Sequence, residues 1–190
     1  KDRIKYEKRE MALRKLIYYD RESLSAAVVQ MLKGMNIVFN TEFFLVCTIK
    51  IEKYDNTNTV EDILKWEDII LSMLKTMIII NGTTKIFKDF EGNIVTILNF
   101  NTKKELLNYK GYEFEDLIKI IKEHLGFDVI VGISDYCYHV KDIKDAYYQT
   151  IQALSSQYTN SKSKIFDYKK IGAVGTSSFY SWDVIESINT

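Results

Sequence analysis

The apolar positions near the start of the chain recur at helical spacing. One group lies between Leu13 and Ile17, and a second lies between Leu24 and Met35. Spacings of three and four residues predict an amphipathic helix, or two helices with a break near Tyr19–Asp20. Two interpretations stay open for this region. The helix either packs on its own domain or acts as a connector that pairs with a second copy of itself.

From residue 43 the pattern changes to alternating strands and helices. Residues 43–52 predict a strand, and the continuously apolar first half is typical of a central strand buried on both faces. Thr59 and Asp62 have the spacing of a capping box, which opens a predicted helix running to about Ile80. Asn81-Gly82 is predicted to end that helix, because glycine tolerates the left-handed C-terminal cap.

A hairpin and two further strand–helix units complete the pattern. The predicted hairpin strands are 85–90 and 94–100, and a helix from about Phe114 ends at Gly126. A buried strand over 128–134 contains Gly132, which indicates a close backbone approach. A helix over 143–158 and a short strand over 164–168 follow. The resulting order, helix then β-α-β-β-α-β-α-β, predicts an α+β fold with a mixed sheet and helices packed on it.

Charge and cysteine content narrow the function classes. The 190 residues carry 26 Lys+Arg and 26 Asp+Glu, so the net charge is zero, which argues against a stand-alone nucleic-acid binder. Two cysteines exclude a disulfide-rich secreted scaffold, and the charged first ten residues are unlike a signal peptide. We therefore expect a cytoplasmic domain without membrane contact. Because the chain begins at Lys1 rather than Met, we expect it to be a fragment.

Motifs for common chemistries are absent from the sequence. It contains no GxxxxGK[ST] or GxGxxG phosphate loop, no GxSxG elbow and no HExxH zinc site. His124 and His139 lack neighbouring ligands, and Cys47 and Cys137 lack a basic neighbour that would lower the thiol pKa. We predict structural roles for all four, and we expect no catalytic residue, metal site or cofactor.

The order of elements resembles the GGDEF domain, the nucleotide-cyclase-like fold of diguanylate cyclases. In that family the first strand carries Asp-x-Asp-x-Phe, whose first Asp holds Mg²⁺, and here the stretch is Lys50-Ile51-Glu52-Lys53-Tyr54. The hairpin that carries the family's signature is Phe90-Glu91-Gly92-Asn93-Ile94. The resemblance implies that Lys50 replaces the metal ligand and that Asn93 replaces the catalytic acidic residue. Two-metal phosphoryl transfer needs carboxylates there, so the resemblance implies a degenerate, non-catalytic domain.

A narrower similarity joins the chain to degenerate domains of this kind in bacterial AraC-type transcriptional regulators. It covers about residues 35–190, and the late segment Trp182–Ile188 resembles the stretch that leads toward the DNA-binding part. The other phrases that carry the similarity are Met35–Phe39, Thr96–Asn99, Val131–Ser134, Ile143–Tyr147, Ile151–Leu154 and Ile165–Tyr168.

This similarity implies a division into three parts and a role in signal transduction. Residues 1–35 would connect to an upstream sensor or a two-component receiver, and 36–168 would form the degenerate GGDEF-like domain. Residues 169–190 would lead to a helix-turn-helix domain outside this chain, the only part expected to bind DNA. We expect a homodimer that relays the input signal without catalysis.

Two other functions stay open at this stage. A divergent active nucleotide cyclase or phosphodiesterase would have to bind its metal through Glu52 and Asp55. A nucleotide or small-molecule sensor would retain a vestigial pocket near Gly132, Tyr54 and the hairpin.

Overall fold

The structure is a computed structural model that describes residues 2–19, 26–52, 59–156 and 163–171. Seven α-helices and five strands occur in these ranges. The helices are α1 (Asp2–Tyr18), α2 (Ala26–Gly34), α3 (Val60–Met77), α4 (Lys103–Asn108), α5 (Tyr112–Leu125), α6 (Ile143–Ser155) and α7 (Tyr168–Ile171). The strands are β1 (Phe43–Ile51), β2 (Gly82–Lys88), β3 (Ile94–Phe100), β4 (Val129–Ile133) and β5 (Ile165–Asp167).

The strands form one mixed sheet in the order β2-β3-β1-β4-β5. β1 lies at the centre and runs antiparallel to β3 and β4, whereas β4 and β5 are parallel. The central position explains the continuous apolar run at the start of β1, because both of its faces are covered. The predicted α+β fold class is thereby confirmed.

Helices cover both faces of the sheet. Leu45, Cys47 and Ile49 point to one face and pack with α3, α4 and α5, whereas Phe44 and Val46 point to the other and pack with α1, α2 and α6. This division follows from the two-residue period of a strand, which sends neighbouring side chains to opposite faces. Burial of these apolar side chains supplies the main driving force that holds the layers together.

The first helix packs on its own domain, as the first of the two interpretations predicted. Leu13, Leu16 and Ile17 are 3%, 0% and 0% exposed and share a cluster with residues of the sheet and α6. The predicted break is also confirmed, because α1 ends at Tyr18 and α2 begins at Ala26. The division at residue 35 stays a prediction, although α1 contributes directly to the core.

Several predicted boundaries were wrong in detail. Helix α3 ends at Met77 rather than near Ile80, and its cap residue Ile78 is extended, with φ −82°. Gly82 does not cap this helix but begins β2. The sequence pattern also missed α4, whose six residues are too few to show a helical period, although Thr102 opens it with a capping box.

The end of the chain is described only in part. Helix α6 ends at Ser155, three residues before the predicted end. The predicted helical turn over Trp182–Ile188 lies outside the described residues, as do Tyr54 and Asp55. Among the helices in the described ranges, none is long and apolar enough to cross a lipid bilayer.

Candidate functional site

The structure brings together the two positions that the resemblance singled out. Ile49 of β1 pairs with Ile94 of β3, so the next positions outward, Lys50 and Asn93, are neighbours at one end of the sheet. Thr48 lies on the same face as Lys50, and its hydroxyl contacts that of Thr150 on α6 at 2.5 Å. Lys50 is exposed, whereas Asn93 is only 6% exposed.

Asn93 is held by a buried carboxylate within the hairpin. Asp89 is 3% exposed, and its Oδ1 accepts the backbone N–H groups of Glu91 at 2.8 Å and Asn93 at 2.9 Å. Its Oδ2 accepts the side-chain amide of Asn93 at 2.8 Å and the hydroxyl of Tyr147 at 2.9 Å. Four donors therefore converge on one carboxylate, which occupies its accepting positions and organises the turn.

The sequence analysis did not identify Asp89 as part of this site. A local signal was present, since Asp at the start of a turn commonly accepts backbone N–H groups two or more residues later. The contact with Tyr147 carried no such signal, because 58 positions separate it from Asp89 in sequence. We call Asp89, Asn93, Tyr147 and Tyr18 the hairpin cluster below.

Helix α1 completes the hairpin cluster from the amino-terminal side. The Tyr18 hydroxyl accepts the backbone N–H of Phe90 at 3.3 Å and lies 3.4 Å from the hydroxyl of Tyr147. The rings of Tyr18 and Phe90 stack with centroids 5.0 Å apart. One turn earlier, the Nε of Arg14 donates to the carbonyl of Lys88 at 2.6 Å. The first helix of the chain therefore contacts the hairpin through both Tyr18 and Arg14.

The hydroxyl groups of the cluster form an ordered chain. Burial first, then the hydrogen bond with Tyr18 and the nearby charge of Asp89, raise the pKa of the Tyr147 phenol. The Tyr147 hydroxyl therefore stays protonated and donates a hydrogen bond to Asp89. The oxygen of the same Tyr147 hydroxyl can then accept a hydrogen bond from the Tyr18 hydroxyl. Such a chain strengthens its members through mutual polarisation.

Helix α3 fixes the hairpin from the other side. The ammonium of Lys88 lies 2.9 Å from carboxylate oxygens of both Glu67 and Asp68. Burial opposes the charge on Lys88, but the hydrogen bonds to these two acids outweigh it and raise the pKa of the lysine. Gly92 adopts φ +84°, a backbone conformation that favours glycine, and a Cβ there would lie 2.8 Å from a Glu67 oxygen.

Glu52 and Asp55 are the two carboxylates that a divergent active cyclase would have to use. Glu52 forms an ion pair with Lys164, just before β5, and Asp55 lies outside the described ranges. No group of three or more His, Cys, Asp and Glu side chains that could hold a metal ion occurs in the part of the chain that the structure describes.

The space beside Gly132 is filled by a helix. A Cβ at this position would lie 2.3 Å from the backbone oxygen of Thr150 and 2.9 Å from Cγ of Leu154. The predicted close backbone approach is confirmed. On this side of Gly132, α6 fills the space where a side chain would project. The predicted pocket near Gly132, Tyr54 and the hairpin stays a prediction, because Tyr54 lies outside the described residues.

Two of the remaining candidates, Cys47 and His139, lie in different environments. Cys47 is fully buried in β1, and burial, followed by the charges of Asp167 and Glu113, raises the pKa of its thiol, which disfavours the reactive thiolate. Nδ1 of His139 lies 3.5 Å from a carboxylate oxygen of Glu42 at the surface.

Comparison with known proteins agrees with this architecture. The chain is similar to the active GGEEF domain of a diguanylate cyclase from Vibrio cholerae, with a TM-score of 0.52 and 15% sequence identity over 78% of this chain and 96% of that chain. No protein-family model matches the sequence, and no curated protein matches it. At this level of identity the likeness shows the fold alone. The chain therefore has a GGDEF-like, nucleotide-cyclase-like fold.

Proposed function

We propose that this domain is a non-catalytic signal-relay module of an AraC-type transcriptional regulator. The observation that supports the proposal is the hairpin cluster, in which Asn93 stands where the resemblance places the catalytic acid. Its amide donates to Asp89 at 2.8 Å instead of offering a carboxylate to a metal.

The charges at this end of the sheet support a non-catalytic role. Two-metal phosphoryl transfer requires carboxylates that hold cations against the triphosphate. Lys50 brings a positive charge, and Asn93 brings a neutral amide. Asp89, the buried carboxylate of the hairpin, already accepts four hydrogen bonds. A magnesium ion would therefore be repelled by the lysine and would have to displace the contacts that shape the turn.

The packing of α6 supports a relay role. The amino-terminal part of α6 contacts α1 through Tyr147, whose ring lies 5.7 Å from that of Tyr18 in an edge-on arrangement. The carboxy-terminal part contributes Ala153 and Leu154 to a cluster with Phe166 and Ile171, in β5 and α7. One helix of 13 residues therefore links the first element of the chain to the last described elements. A shift of α1 would be carried along α6 to the carboxy-terminal side.

The biological context of the proposal comes from the AraC resemblance. An upstream sensor or receiver would act on α1 and α2, and a helix-turn-helix domain after this chain would bind DNA. We propose a homodimer in the bacterial cytoplasm, because regulators of this kind contact paired half-sites.

The proposal is tested with the parent protein that includes the sequence on both sides of this chain. We expect it to bind promoter DNA from its own genome, measured by fluorescence anisotropy with and without activation of the input module. Tyr18→Ala should uncouple DNA affinity from the input, because it removes the α1 contacts to the hairpin and α6. Tyr112→Ala, at a tyrosine that is 63% exposed, is the matched control and should leave the coupling unchanged.

Two results would count against the relay. The first is a parent protein without a DNA-binding region. The second is a Tyr18→Ala protein that folds and responds to input as the unaltered protein does.

A further inference from the structure

Strand β2 forms one edge of the sheet, and part of that edge is open. At its end the backbone N–H of Asp89 donates to the carbonyl of Asn93 at 2.9 Å, which fixes the hydrogen-bonding pattern of the hairpin. Backbone groups alternate in direction along a strand, so those of Thr84 and Ile86 point away from β3. No donor or acceptor in the described part of the chain forms a hydrogen bond with these groups.

Helix α1 closes the hairpin end of this edge. The Lys88 carbonyl points in the same direction as those of Thr84 and Ile86, and it accepts a hydrogen bond from Nε of Arg14 at 2.6 Å. Native proteins commonly cover or block an exposed strand edge, because its unpaired groups readily pair with another chain. Here the covering contact stops at Lys88, and the backbone groups of Thr84 and Ile86 stay available for pairing.

A groove lies along the open part of β2. Its volume is about 210 Å³, and its lining includes Leu13 of α1, Ile78 just after α3, and Thr84 and Ile86. Because α1 and α3 pack on opposite faces of the sheet, a cavity that reaches both helices crosses the edge of β2 itself. We call this cavity the edge groove. It gives a ligand direct access to the unpaired backbone groups.

We propose that the edge groove binds an extended segment of a partner protein, which adds to β2 as a further strand of the sheet. The open N–H and C=O groups of Thr84 and Ile86 recur at a spacing of two residues. An extended polypeptide backbone offers acceptors and donors at the same spacing, so its hydrogen-bonding groups match those of the edge. Pairing of this kind satisfies groups that otherwise face the groove without a protein partner.

The walls of the edge groove specify the side chains of such a segment. Ile86 packs with the α3 side of the core, and opposite residues of neighbouring strands share a face. The two residues that pair with Thr84 and Ile86 would therefore lie toward Ile78, which favours apolar side chains. The residue between them would point to the α1 side, toward Arg9. The groove therefore fits an extended segment with apolar residues at alternate positions.

A second copy of this chain fits the edge groove less well. Antiparallel pairing of two β2 edges in one continuous sheet would place two copies of α1 side by side on the same face. Arg9, which lines the groove from α1, would then approach its equivalent in the second copy, and like charges repel. A single extended segment avoids this contact. The proposal does not rest on the relay function, because it depends only on the open edge of β2.

The test uses a fluorescein-labelled peptide, Ser-Val-Thr-Val-Thr-Val-Ser, whose valines alternate with polar residues. We expect its fluorescence anisotropy to rise when the unaltered protein is added. Hydrogen exchange followed by NMR locates the site, because the amides of Thr84 and Ile86 should exchange more slowly in the complex. The exposed amides on the far side of the sheet should be unaffected.

Thr84→Pro tests the backbone contact in the protein. Proline removes the outward N–H, and it is tolerated at an edge position because that N–H takes no part in the pairing with β3. We expect the peptide to bind about threefold to tenfold more weakly, as for the loss of one hydrogen bond. Thr84→Ala is the matched control, since it retains the backbone N–H and should bind as the unaltered protein does.

Methylated peptides decide the question if Thr84→Pro does not fold. Methyl groups on the valine nitrogens block the face that pairs with β2 and should abolish binding. Methyl groups on the threonine nitrogens, which point away from β2, should not. The proposal is overturned if the unaltered protein does not bind the peptide up to about 1 mM, or if the valine-methylated peptide binds equally well. It is also overturned if sedimentation shows a dimer that Thr84→Pro abolishes, because the edge would then pair with a second copy.

Discussion

Replacing Asp89 with alanine is expected to lower the free energy of unfolding by about 2–4 kcal/mol. The substitution removes the acceptor of four hydrogen bonds and leaves the amide of Asn93 and the hydroxyl of Tyr147 without that partner in a buried site. Buried donors that lose their partner keep the full cost of desolvation, which explains the large effect. Urea unfolding followed by circular dichroism, with linear extrapolation to water, measures it.

Conservative variants distinguish the contributions of the two oxygens of the Asp89 carboxylate to stability. Asp89→Asn retains an oxygen for the backbone N–H groups of Glu91 and Asn93, but its NH₂ group opposes the two side-chain donors. We therefore expect an intermediate loss. A double-mutant cycle between Asp89→Asn and Tyr147→Phe should give a coupling of about 0.5–3 kcal/mol.

The control for the Asp89 variants is Asp116→Ala, at an exposed aspartate on α5. A surface substitution of this kind is expected to change stability by less than about 0.5 kcal/mol. If Asp89→Ala is no more destabilising than Asp116→Ala, the carboxylate does not organise the hairpin.

Gly132→Val is expected to destabilise the domain by about 3 kcal/mol or more, and Gly132→Ala by about 1–3 kcal/mol. Even one methyl group would overlap the backbone oxygen of Thr150, at 2.3 Å. Since that obstacle is backbone, relief requires α6 to move away from the sheet. The same urea unfolding measurement reports the loss.

Gly34→Ala is the matched control for Gly132. Nothing lies within 4 Å of the position of a Cβ at Gly34, which ends α2. There we expect no loss, and a gain of up to about 1 kcal/mol from the reduced entropy of the unfolded chain. Equal effects of alanine at the two glycines would contradict the close packing of α6 on β4.

Local patterns predicted much of the fold because their causes lie within a few residues. The Thr59–Asp62 capping box is present as expected, and Gly126 ends α5 with φ +78°. The apolar run of β1 predicted its central position in the sheet, since a run of this kind is typical of a strand covered on both faces. The hairpin position followed from Gly92, which has φ +84°.

The candidate site depends on contacts between residues far apart in the sequence, which local sequence patterns do not predict. The hairpin cluster joins Tyr18, Asp89 and Tyr147, and neither hydrophobic period nor turn chemistry relates residues so far apart. The family resemblance implied that Lys50 and Asn93 lie near each other. The register of β1 with β3 in the structure places the two residues side by side.

The most direct test of the central claim is incubation of the protein with GTP and either Mg²⁺ or Mn²⁺, followed by chromatography of the nucleotides. An active GGEEF domain assayed in parallel serves as the positive control. We predict that GTP remains unchanged, since Lys50 and Asn93 offer no carboxylate to the metal and Asp89 is occupied by four donors. Formation of a cyclic or linear dinucleotide would contradict a non-catalytic domain and would mean that the hairpin cluster opens to admit metal and substrate.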